Sequence, residues 1–392
     1  MTPAARVQTA IELLDTIIAS ARTKGAPADR ILGDWFKQNR FAGSKDRRAI
    51  RELVYAAIRA CGPVPKHGRA AMLRLGQGDP SILPLFDGSN YGPAPIGAKE
   101  VSAEGGVAPD WLVERLAASG VEGEEAMALL DRAPLDVRVN TLKAERATLA
   151  LPVETEPTAA PNGLRLPIGT QVEQWAEYRD GKVEVQDTGS QLACLAVGAQ
   201  PGETIVDLCA GGGGKTLALA AAMDGLGRLI ASDTDRGRLS RLSPRAERAG
   251  AAMIETILLD PKREMEALSD LTGRADAVLV DAPCSGTGTW RRNPEARWRL
   301  TPTELARLVN MQDYLLGVAA QLLRPSGVLT YVTCSLLDEE GPDHIADILE
   351  RHPGWAMAQP ELPLGTPRGP GIRLSPFRDG TDGFFIACIG KP

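Results

Sequence analysis

Apolar residues recur at helical spacing in the first part of the chain. The positions that repeat every three or four residues are Val7, Ile11, Leu14 and Ile18, and again Ile50, Val54 and Ile58. Pro27 begins a third, short helix between these two, which contains Trp35 and Phe36. The pattern predicts a helical domain over residues 1–75, and the Gly- and Pro-rich stretch 76–107 predicts a linker of irregular structure.

Short apolar runs alternate with helical segments through the rest of the chain. Two helical segments and the strand-like run Asp136–Thr141 predict a small α/β lead-in subdomain over residues 108–182. From 183 to 392 we expect strands near Ile205, Leu229, Ile257, Val278 and Leu329, and helices over 215–224, 235–249, 303–323 and 341–351. The run Gly383–Ile389 predicts a last, antiparallel strand near the sheet edge. The fold class is therefore α/β, with a doubly wound, Rossmann-like sheet whose functional residues lie at the carboxyl ends of the strands.

A run of four glycines, Gly211 to Gly214, separates an apolar strand from a helix that starts at Lys215. A strand, a glycine turn and a helix N-terminus form a binding place for a nucleotide-like ligand. The spacing excludes two phosphate-binding motifs. A P-loop would need a glycine at position 209, which is Cys209, and the dinucleotide motif G-x-G-x-x-G would need a glycine at position 216, which is Thr216. Acids at the ends of two successive strands, Asp207 and Asp233, favour a ligand with cationic groups and a ribose, such as S-adenosylmethionine (SAM). The alternative is an ordinary strand–helix turn.

Composition and charge limit the class of protein, its cellular compartment and the kind of partner that it can bind. The 392 residues are 43% hydrophobic and 24% charged, as in an ordinary protein of two or three domains. No apolar run approaches the ~20 residues of a membrane span, and Glu12 and Asp15 interrupt any N-terminal signal sequence. Six scattered cysteines without C-x-x-C, and only three histidines, favour a reducing cytoplasm without disulfides or a metal site. Because the net charge is −6, a nucleic-acid site must be a local basic surface.

Two later strands end in cysteine motifs. Asp281 opens the motif Asp-Ala-Pro-Cys284-Ser-Gly-Thr-Gly, and another strand ends in Thr-Cys334-Ser. Together with the motif DLCAGGGGKT, these residues resemble the Sun/RsmB-type RNA cytosine-5 methyltransferases from about Val183 to Lys391. That family's glycine turn is usually Cys-Ala-Ala-Pro-Gly-Gly-Lys-Thr, so Gly211 and Gly212 stand where Ala and Pro are usual. The helical domain resembles the NusB-like RNA-binding domain that precedes some RNA-modifying domains.

The resemblance implies a SAM-dependent enzyme and assigns roles to residues of this chain. It makes Cys334 the nucleophile that attacks C6 of cytosine, and Cys284 the residue that helps to release the product. It places Asp281 against the N3/N4 edge of the flipped base, with Lys215 orienting nearby groups. The implied cofactor-binding residues are Cys209, Ala210, Gly211, Gly212, Gly213, Gly214, Lys215, Asp233, Asp260 and Asp281. For Asp260 a helix cap before Pro261 is an equal alternative. We interpret Cys61, Cys194 and Cys388 as buried hydrophobic residues.

Basic residues in two places are candidates for RNA contact. The first set follows the Asp-Ala-Pro-Cys motif and surrounds Trp298: Arg291, Arg292, Arg297 and Arg299. The second set starts a helix of the first domain: Lys45, Arg47 and Arg48. For both sets the alternative is a solvated surface.

The expected substrate is ribosomal RNA, with transfer RNA second, and we expect a monomer in the cytoplasm without metal or membrane contact. Two rival enzyme classes fit less well. A DNA cytosine methyltransferase would usually carry a large target-recognition insert, and an amino-group methyltransferase an Asn/Asp-Pro-Pro-aromatic turn. A non-catalytic RNA-binding or ribosome-assembly factor that keeps this fold is the rival from another class.

Overall fold

The computed structural model of the chain describes residues 1–358 and 360–392. It divides into two compact units. The first contains Met1–Asp131 and also Thr289–Thr301, and the second contains Arg132–Gly288 and Pro302–Pro392. The chain therefore leaves the second unit after Gly288 and returns to it at Pro302.

The first unit is helical. Its helices are α1 (Pro3–Arg22), α2 (Ala28–Gln38), α3 (Ser44–Ala60), α4 (Gly68–Gly78), α5 (Asp110–Ala118) and α6 (Gly123–Ala128), with 3-10 turns at Leu83–Leu85 and Pro294–Trp298. The apolar positions that repeat in the sequence, such as Leu14 and Ile50, are buried in one core. The sequence pattern does not reveal α4, whose three glycines lower helix propensity. Gly68 is required there because a Cβ would lie 2.2 Å from the carbonyl oxygen of Ile11 on α1.

A small antiparallel sheet begins the second unit. Its strands are β1 (Leu135–Val139), β2 (Glu156–Pro157), β3 (Gly163–Leu166) and β4 (Val183–Val185), in the order β2-β3-β1-β4. Val137, Val139, Leu164 and Val183 form its core. The predicted lead-in subdomain started at residue 108, whereas the structure places α5 and α6 in the first unit. Leu112 and Leu116 of α5 are buried, and both precede the division at residue 131.

A larger sheet forms the centre of the second unit. Its strands are β5 (Thr204–Asp207), β6 (Arg228–Asp233), β7 (Ile254–Leu258), β8 (Ala275–Asp281), β9 (Leu323–Thr333), β10 (Ala356–Met357), β11 (Thr366–Arg368), β12 (Gly371–Leu374) and β13 (Phe384–Gly390). The order is β11-β12-β13-β9-β8-β5-β6-β7, with β10 beside β13. The strands from β5 to β9 are parallel, and β13 runs antiparallel to β9, as predicted. Since β5 pairs with both β6 and β8, the strand order reverses at β5, which is where such sheets bind ligands.

Helices cover both faces of this sheet. The helices of the second unit are α7 (Ala176–Arg179), which packs beside β4 of the small sheet, and then α8 (Thr188–Ala196), α9 (Gly214–Ala222), α10 (Arg236–Leu239), α11 (Leu242–Ala249), α12 (Glu264–Ala267), α13 (Pro302–Leu322), α14 (Pro342–Arg351) and α15 (Pro376–Asp379). Further 3-10 turns lie at Val172–Gln174, Ser269–Leu271, Thr287–Thr289 and Asp338–Glu340. Neighbouring residues of β5 face opposite cores, Ile205 toward α8 and α9 and Val206 toward α13. The doubly wound fold is confirmed.

The helix predicted over 235–249 is two helices, α10 and α11. Pro244 has no amide hydrogen to donate to the carbonyl oxygen of Ser240, so one continuous helix cannot form through this segment. In the ranges 1–358 and 360–392, no helix is both long and apolar enough to cross a membrane.

Candidate active site

The glycine turn between β5 and α9 has a backbone that only glycine adopts easily. Gly211 has φ +55° and Gly213 has φ +81°, both in the left-handed region. A Cβ on Gly213 would also lie 2.0 Å from a methyl carbon of Leu242. The turn therefore depends on glycine for its conformation at 211 and for both conformation and space at 213.

Asp233, at the end of β6, holds the glycine turn in place. Its Oδ2 accepts a hydrogen bond from the amide of Gly211 at 2.7 Å, and its Oδ1 accepts one from the amide of Asp235 at 2.7 Å. The side chain is nearly buried and lines a cavity beside the turn. Each carboxylate oxygen still has a lone pair for a further donor, such as a ribose hydroxyl.

Unlike Asp233, the residue Asp207 at the end of β5 does not line the cavity but lies in the core beneath the glycine turn. It is fully buried and its Oδ2 accepts a hydrogen bond from Thr216 Oγ1 at 2.7 Å. Burial raises the pKa of Asp207 to about 7, against the lowering effect of the Thr216 hydrogen bond. The expectation that Asp207 would face a cationic ligand is wrong, because its carboxyl group supports the start of α9 from inside the core.

The cavity beside the turn has a volume of about 540 Å³ and lies at the carboxyl ends of β5, β6 and β8. Its acidic lining consists of Asp233, Asp235, Glu264 and Asp281. Its apolar lining includes Leu259, Pro261, Leu308, Met311 and Leu315. An apolar wall suits an adenine ring, and acids suit ribose hydroxyls, an ammonium and a sulfonium, so these residues fit SAM. Asp260 is exposed between two lining residues, so its contact with the cofactor stays a prediction.

The two motif cysteines come together at one end of this cavity. Cys284 Sγ and Cys334 Sγ lie 3.3 Å apart, and both residues are half-buried. Their proximity follows from the sheet, because β8 and β9 are parallel neighbours paired at Asp281 and Val332. The hydrogen bond with Cys334, together with burial, raises the pKa of the Cys284 thiol well above its usual value.

Lys215, the first side chain of α9 after the glycines, pairs with Asp281. Its Nζ lies 2.7 Å from Asp281 Oδ2 and 5.4 Å from the ring centre of Phe384. Burial lowers the pKa of Lys215, but the charge and hydrogen bond of Asp281, with smaller contributions from Cys194 and Cys334, outweigh this and the net shift is upward. Lys215 is therefore a fixed positive charge near the thiols. In the described part of the chain, no group of three or more His, Cys, Asp and Glu side chains could hold a metal ion.

Comparison with known proteins identifies the family. The family model for 16S rRNA methyltransferase RsmB/F matches residues 194–390. The chain belongs to this family. Its members use SAM, so the predicted family and cofactor are both confirmed.

Individual relatives agree with this membership. The probable ribosomal RNA small subunit methyltransferase B of Synechocystis sp. is 33% identical over 298 residues, which cover 72% of this chain and 66% of that protein. Ribosomal RNA small subunit methyltransferase B of Xylella fastidiosa is 35% identical over 292 residues, covering 72% and 68%. The chain thus spans about two thirds of the length of these relatives. The crystal structure of PH0851 is 25% identical with a TM-score of 0.77, and the match covers 100% of this chain and 99% of that one.

The arginine segment after the Cys284 motif is mostly buried in the first unit. Arg297 is fully buried, and its Nη2 donates to the carbonyl oxygens of Ile58 and Cys61 at 2.7 Å each. Arg299 is half-buried and donates to the carbonyl oxygens of Gly25 and Ala26 at 2.9 and 2.7 Å. The prediction that Arg297 contacts RNA is wrong, because its guanidinium is occupied by backbone acceptors away from solvent.

The other members of that segment show the same trend. Arg291 is 5% exposed and Trp298 is 4% exposed, so neither presents a surface to phosphate or a stacking face. Arg292 is half-buried. The prediction of RNA contact is therefore corrected for Arg291 and Arg297, whereas contact by Arg292 and Arg299 stays a prediction.

The second basic set remains accessible. Lys45 and Arg48 are exposed at the start of α3. Arg47 is half-buried, with its Nε bonded to the carbonyl oxygen of Ala42 at 2.7 Å. Phe41, which belongs to no sequence motif, lies four residues before Lys45 and is 70% exposed. An aromatic residue next to basic residues was the signal that could have identified it.

Most of the residues that line the cavity could not be identified as ligand contacts from the sequence. Leu308, Met311 and Leu315 recur at helical spacing on α13, which marks them as an apolar face but not as a ligand contact. Glu340, which binds the residue after Cys284, belongs to no motif at all.

Proposed function

We propose that this protein transfers a methyl group from SAM to carbon-5 of a cytosine in RNA. Ribosomal RNA of the 16S type is the first candidate substrate and transfer RNA the second. The observation that carries the proposal is the 3.3 Å contact between Cys284 Sγ and Cys334 Sγ beside the cavity. Free thiols on all six cysteines support a reducing cytoplasm as the place of reaction.

Two thiols suit the chemistry of this reaction. Carbon-5 of cytosine is a poor nucleophile until a thiolate adds to C6 and turns the ring into an enamine. We assign this addition to Cys334. SAM supplies the methyl group to C5 when bound. Cys284 then takes the C5 proton, the electron pair of that C–H bond restores the ring double bond, and the C6–S bond breaks to release Cys334.

The contact between the thiols supports a role for Cys284 as a base only after Cys334 has reacted. In the resting site the hydrogen bond with Cys334 is the largest cause of the raised pKa of Cys284, so Cys284 keeps its proton. Once Cys334 is bonded to C6, that hydrogen bond and the nearby negative charge are lost. The pKa of Cys284 then falls, so the thiol can release its proton to solvent, and the resulting thiolate can accept the C5 proton.

The ion pair of Lys215 and Asp281 supports both steps. The ammonium of Lys215 is held at 2.7 Å by Asp281, which lines the same cavity as Cys334, and so supplies a positive charge near the attacking sulfur. Asp281 lines the cavity and its carboxylate can accept a hydrogen bond from the N4 amino group of cytosine or from a protonated N3. These roles make Cys334, Cys284, Asp281 and Lys215 the proposed catalytic residues.

We assign RNA contact to the first unit, at a basic surface defined by Lys37, Arg40, Phe41, Lys45 and Arg48. All five side chains are exposed. Basic side chains suit phosphates and an exposed aromatic ring suits an unpaired base, which together favour RNA over a small-molecule partner.

The test is methyl transfer from labelled SAM to 16S-type ribosomal RNA and, separately, to transfer RNA, followed by bisulfite mapping. We expect label in ribosomal RNA and one protected cytosine. Label on an exocyclic amino group or in DNA alone would refute the reaction class. Binding of RNA without any transfer would favour the non-catalytic assembly factor.

A further inference from the structure

Glu340 is a buried carboxylate close to the thiols. It ends the 3-10 turn Asp338–Glu340 that follows Cys334, and its side chain is completely inaccessible to solvent. The donors that the structure gives to its carboxylate are neutral. Its Oε1 accepts from the amide of Ser285 at 2.8 Å and from Gln312 Nε2 at 3.0 Å, and its Oε2 accepts from Ser285 Oγ. Burying a carboxylate among neutral donors costs folding free energy, so such a group points to a functional role.

The contacts of Glu340 reach the neighbours of both thiols. Ser285, which it binds through two atoms, directly follows Cys284. Its carbonyl oxygen accepts from Thr333 Oγ1 at 3.1 Å, and Thr333 directly precedes Cys334. It also accepts from the hydroxyl of Tyr331 on β9 at 3.0 Å. One residue thus fixes the chain next to each cysteine.

A second set of hydroxyl groups joins the two cysteine loops. Ser335 Oγ lies 3.2 Å from Ser285 Oγ and 3.1 Å from Thr287 Oγ1. Thr287 Oγ1 in turn accepts from the amide of Leu336 at 2.8 Å. The helix α13 joins the network through Gln312, whose Nε2 also donates to the carbonyl oxygen of Pro283 at 2.8 Å. The residues before and after Cys284 are therefore both held.

We propose that Glu340 is a positioning residue that holds the Cys284 loop against the Cys334 loop and so keeps the two thiols in contact. This inference rests on the proposed function for its purpose, but its geometry does not depend on RNA or SAM. Glu340 acts through Ser285 and is not itself a group that touches the substrate.

The charge of Glu340 gives a readout that a purely structural role would not change. The ionisable groups around Cys284 are Cys334 and Glu340 from the loop after β9, Tyr331 on β9, and Asp281 with Lys215 beside the cavity. The raised pKa of the Cys284 thiol arises first from the Cys334 contact, then from burial, and in a smaller part from the charge of Glu340. Removing that charge without changing the shape lowers the pKa of Cys284.

The first experiment measures alkylation of Cys284 by iodoacetamide against pH in the full-length protein, with the modified site identified by mass spectrometry. Glu340→Gln keeps the shape and removes the charge, so alkylation of Cys284 should begin at lower pH than in the wild type. Glu350→Gln is the matched control, because it removes an exposed charge from α14, and should leave the profile unchanged. An unchanged profile in Glu340→Gln would overturn the proposal.

The second experiment measures methyl transfer in the same variants and in Ser285→Ala, which removes the hydroxyl donor but keeps the charge. Both variants weaken the hold on Ser285, because Glu340→Gln removes the charge that strengthens these hydrogen bonds and Ser285→Ala removes the hydroxyl donor. We therefore expect kcat to fall roughly 10- to 100-fold in each, with KM for RNA and SAM within about twofold. If Glu340→Gln does not fold, the kcat of Ser285→Ala tests the proposal instead. A kcat of Ser285→Ala equal to that of the wild type would overturn it. If the wild type itself transfers no methyl group, the proposed function fails, while the alkylation profiles still test Glu340.

Discussion

Arg297 donates a hydrogen bond of 2.7 Å to the carbonyl oxygen of Cys61, 236 residues earlier in the chain. The same guanidinium satisfies the carbonyl oxygen of Ile58 in the last turn of α3. Burial lowers the pKa of Arg297 to about 9, so the side chain is still charged near neutral pH. A segment that precedes α13 in sequence is thus a structural part of the helical first unit.

Replacing Arg297 should therefore destabilise the protein and not weaken its binding to RNA. Arg297→Met removes the side-chain donor to the buried carbonyl oxygen of Cys61 and one of two donors to that of Ile58, and we expect a loss of about 2–4 kcal/mol in the free energy of unfolding. Arg30→Met is the control, because Arg30 is an exposed arginine of the same unit. Thermal unfolding of the full chain measures both, and equal midpoints for wild type and Arg297→Met would contradict the burial argument.

The burial of the arginine segment could not be predicted from the sequence. Arginines around a tryptophan have the same local pattern whether they contact RNA or are buried, because the deciding acceptors, Ile58 and Cys61, are distant in sequence. By contrast, the strands of the sheet and the pair of cysteines were predictable, because their motifs are local and parallel neighbours bring strand ends together. Glu340 was not predictable, since its role depends on neutral partners from α13 and the Cys284 loop.

The buried carboxyl group of Asp207 should make stability depend on pH. Its pKa is about 7 in the folded chain against an ordinary value of 3.8, so the folded state holds the proton more tightly. The resulting stabilisation is complete below about pH 4 and is lost as the pH rises through about 7.

Asp207→Asn tests this dependence, because the amide is neutral throughout and its oxygen can still accept from Thr216. Between pH 5.5 and 8.0, urea denaturation should show a smaller loss of stability in the variant than in the wild type, by about 2 kcal/mol. Asp224→Asn, at an exposed position, should follow the wild type. A loss in Asp207→Asn as large as that of the wild type would exclude Asp207 as its source.

Asp233 should contribute to SAM affinity in two ways. Asp233→Ala removes an acceptor for the ribose and also the anchor of the Gly211 amide. We expect SAM binding to weaken by roughly 1.5–3 kcal/mol, measured by titration calorimetry. Asp260→Ala, which changes an exposed side chain, should cost less than about 1 kcal/mol. A larger loss in Asp260→Ala than in Asp233→Ala would reverse the assignment of the two acids.

The basic surface of the first unit should determine the salt dependence of RNA binding. Replacing Lys45 and Arg48 together by Ala should weaken binding and flatten the slope of log affinity against log salt by roughly 1–2, because each side chain neutralises about one phosphate. Phe41→Ala should weaken binding without changing that slope, because stacking releases no counterions. Arg263→Ala, at an exposed position of the second unit, should change neither. An unaltered slope in the double variant would show that phosphate is bound elsewhere.

The roles of Cys284 and Cys334 are tested most directly by incubating each cysteine variant with SAM and substrate RNA. Denaturing gel electrophoresis then shows whether a covalent protein–RNA adduct has formed. Cys284→Ala leaves attack and methyl transfer possible but blocks removal of the C5 proton, so a protein–RNA adduct should accumulate and survive denaturation. Cys334→Ala removes the nucleophile, so neither adduct nor methylated RNA should form. A stable adduct with Cys334→Ala and none with Cys284→Ala would contradict this assignment of the two residues.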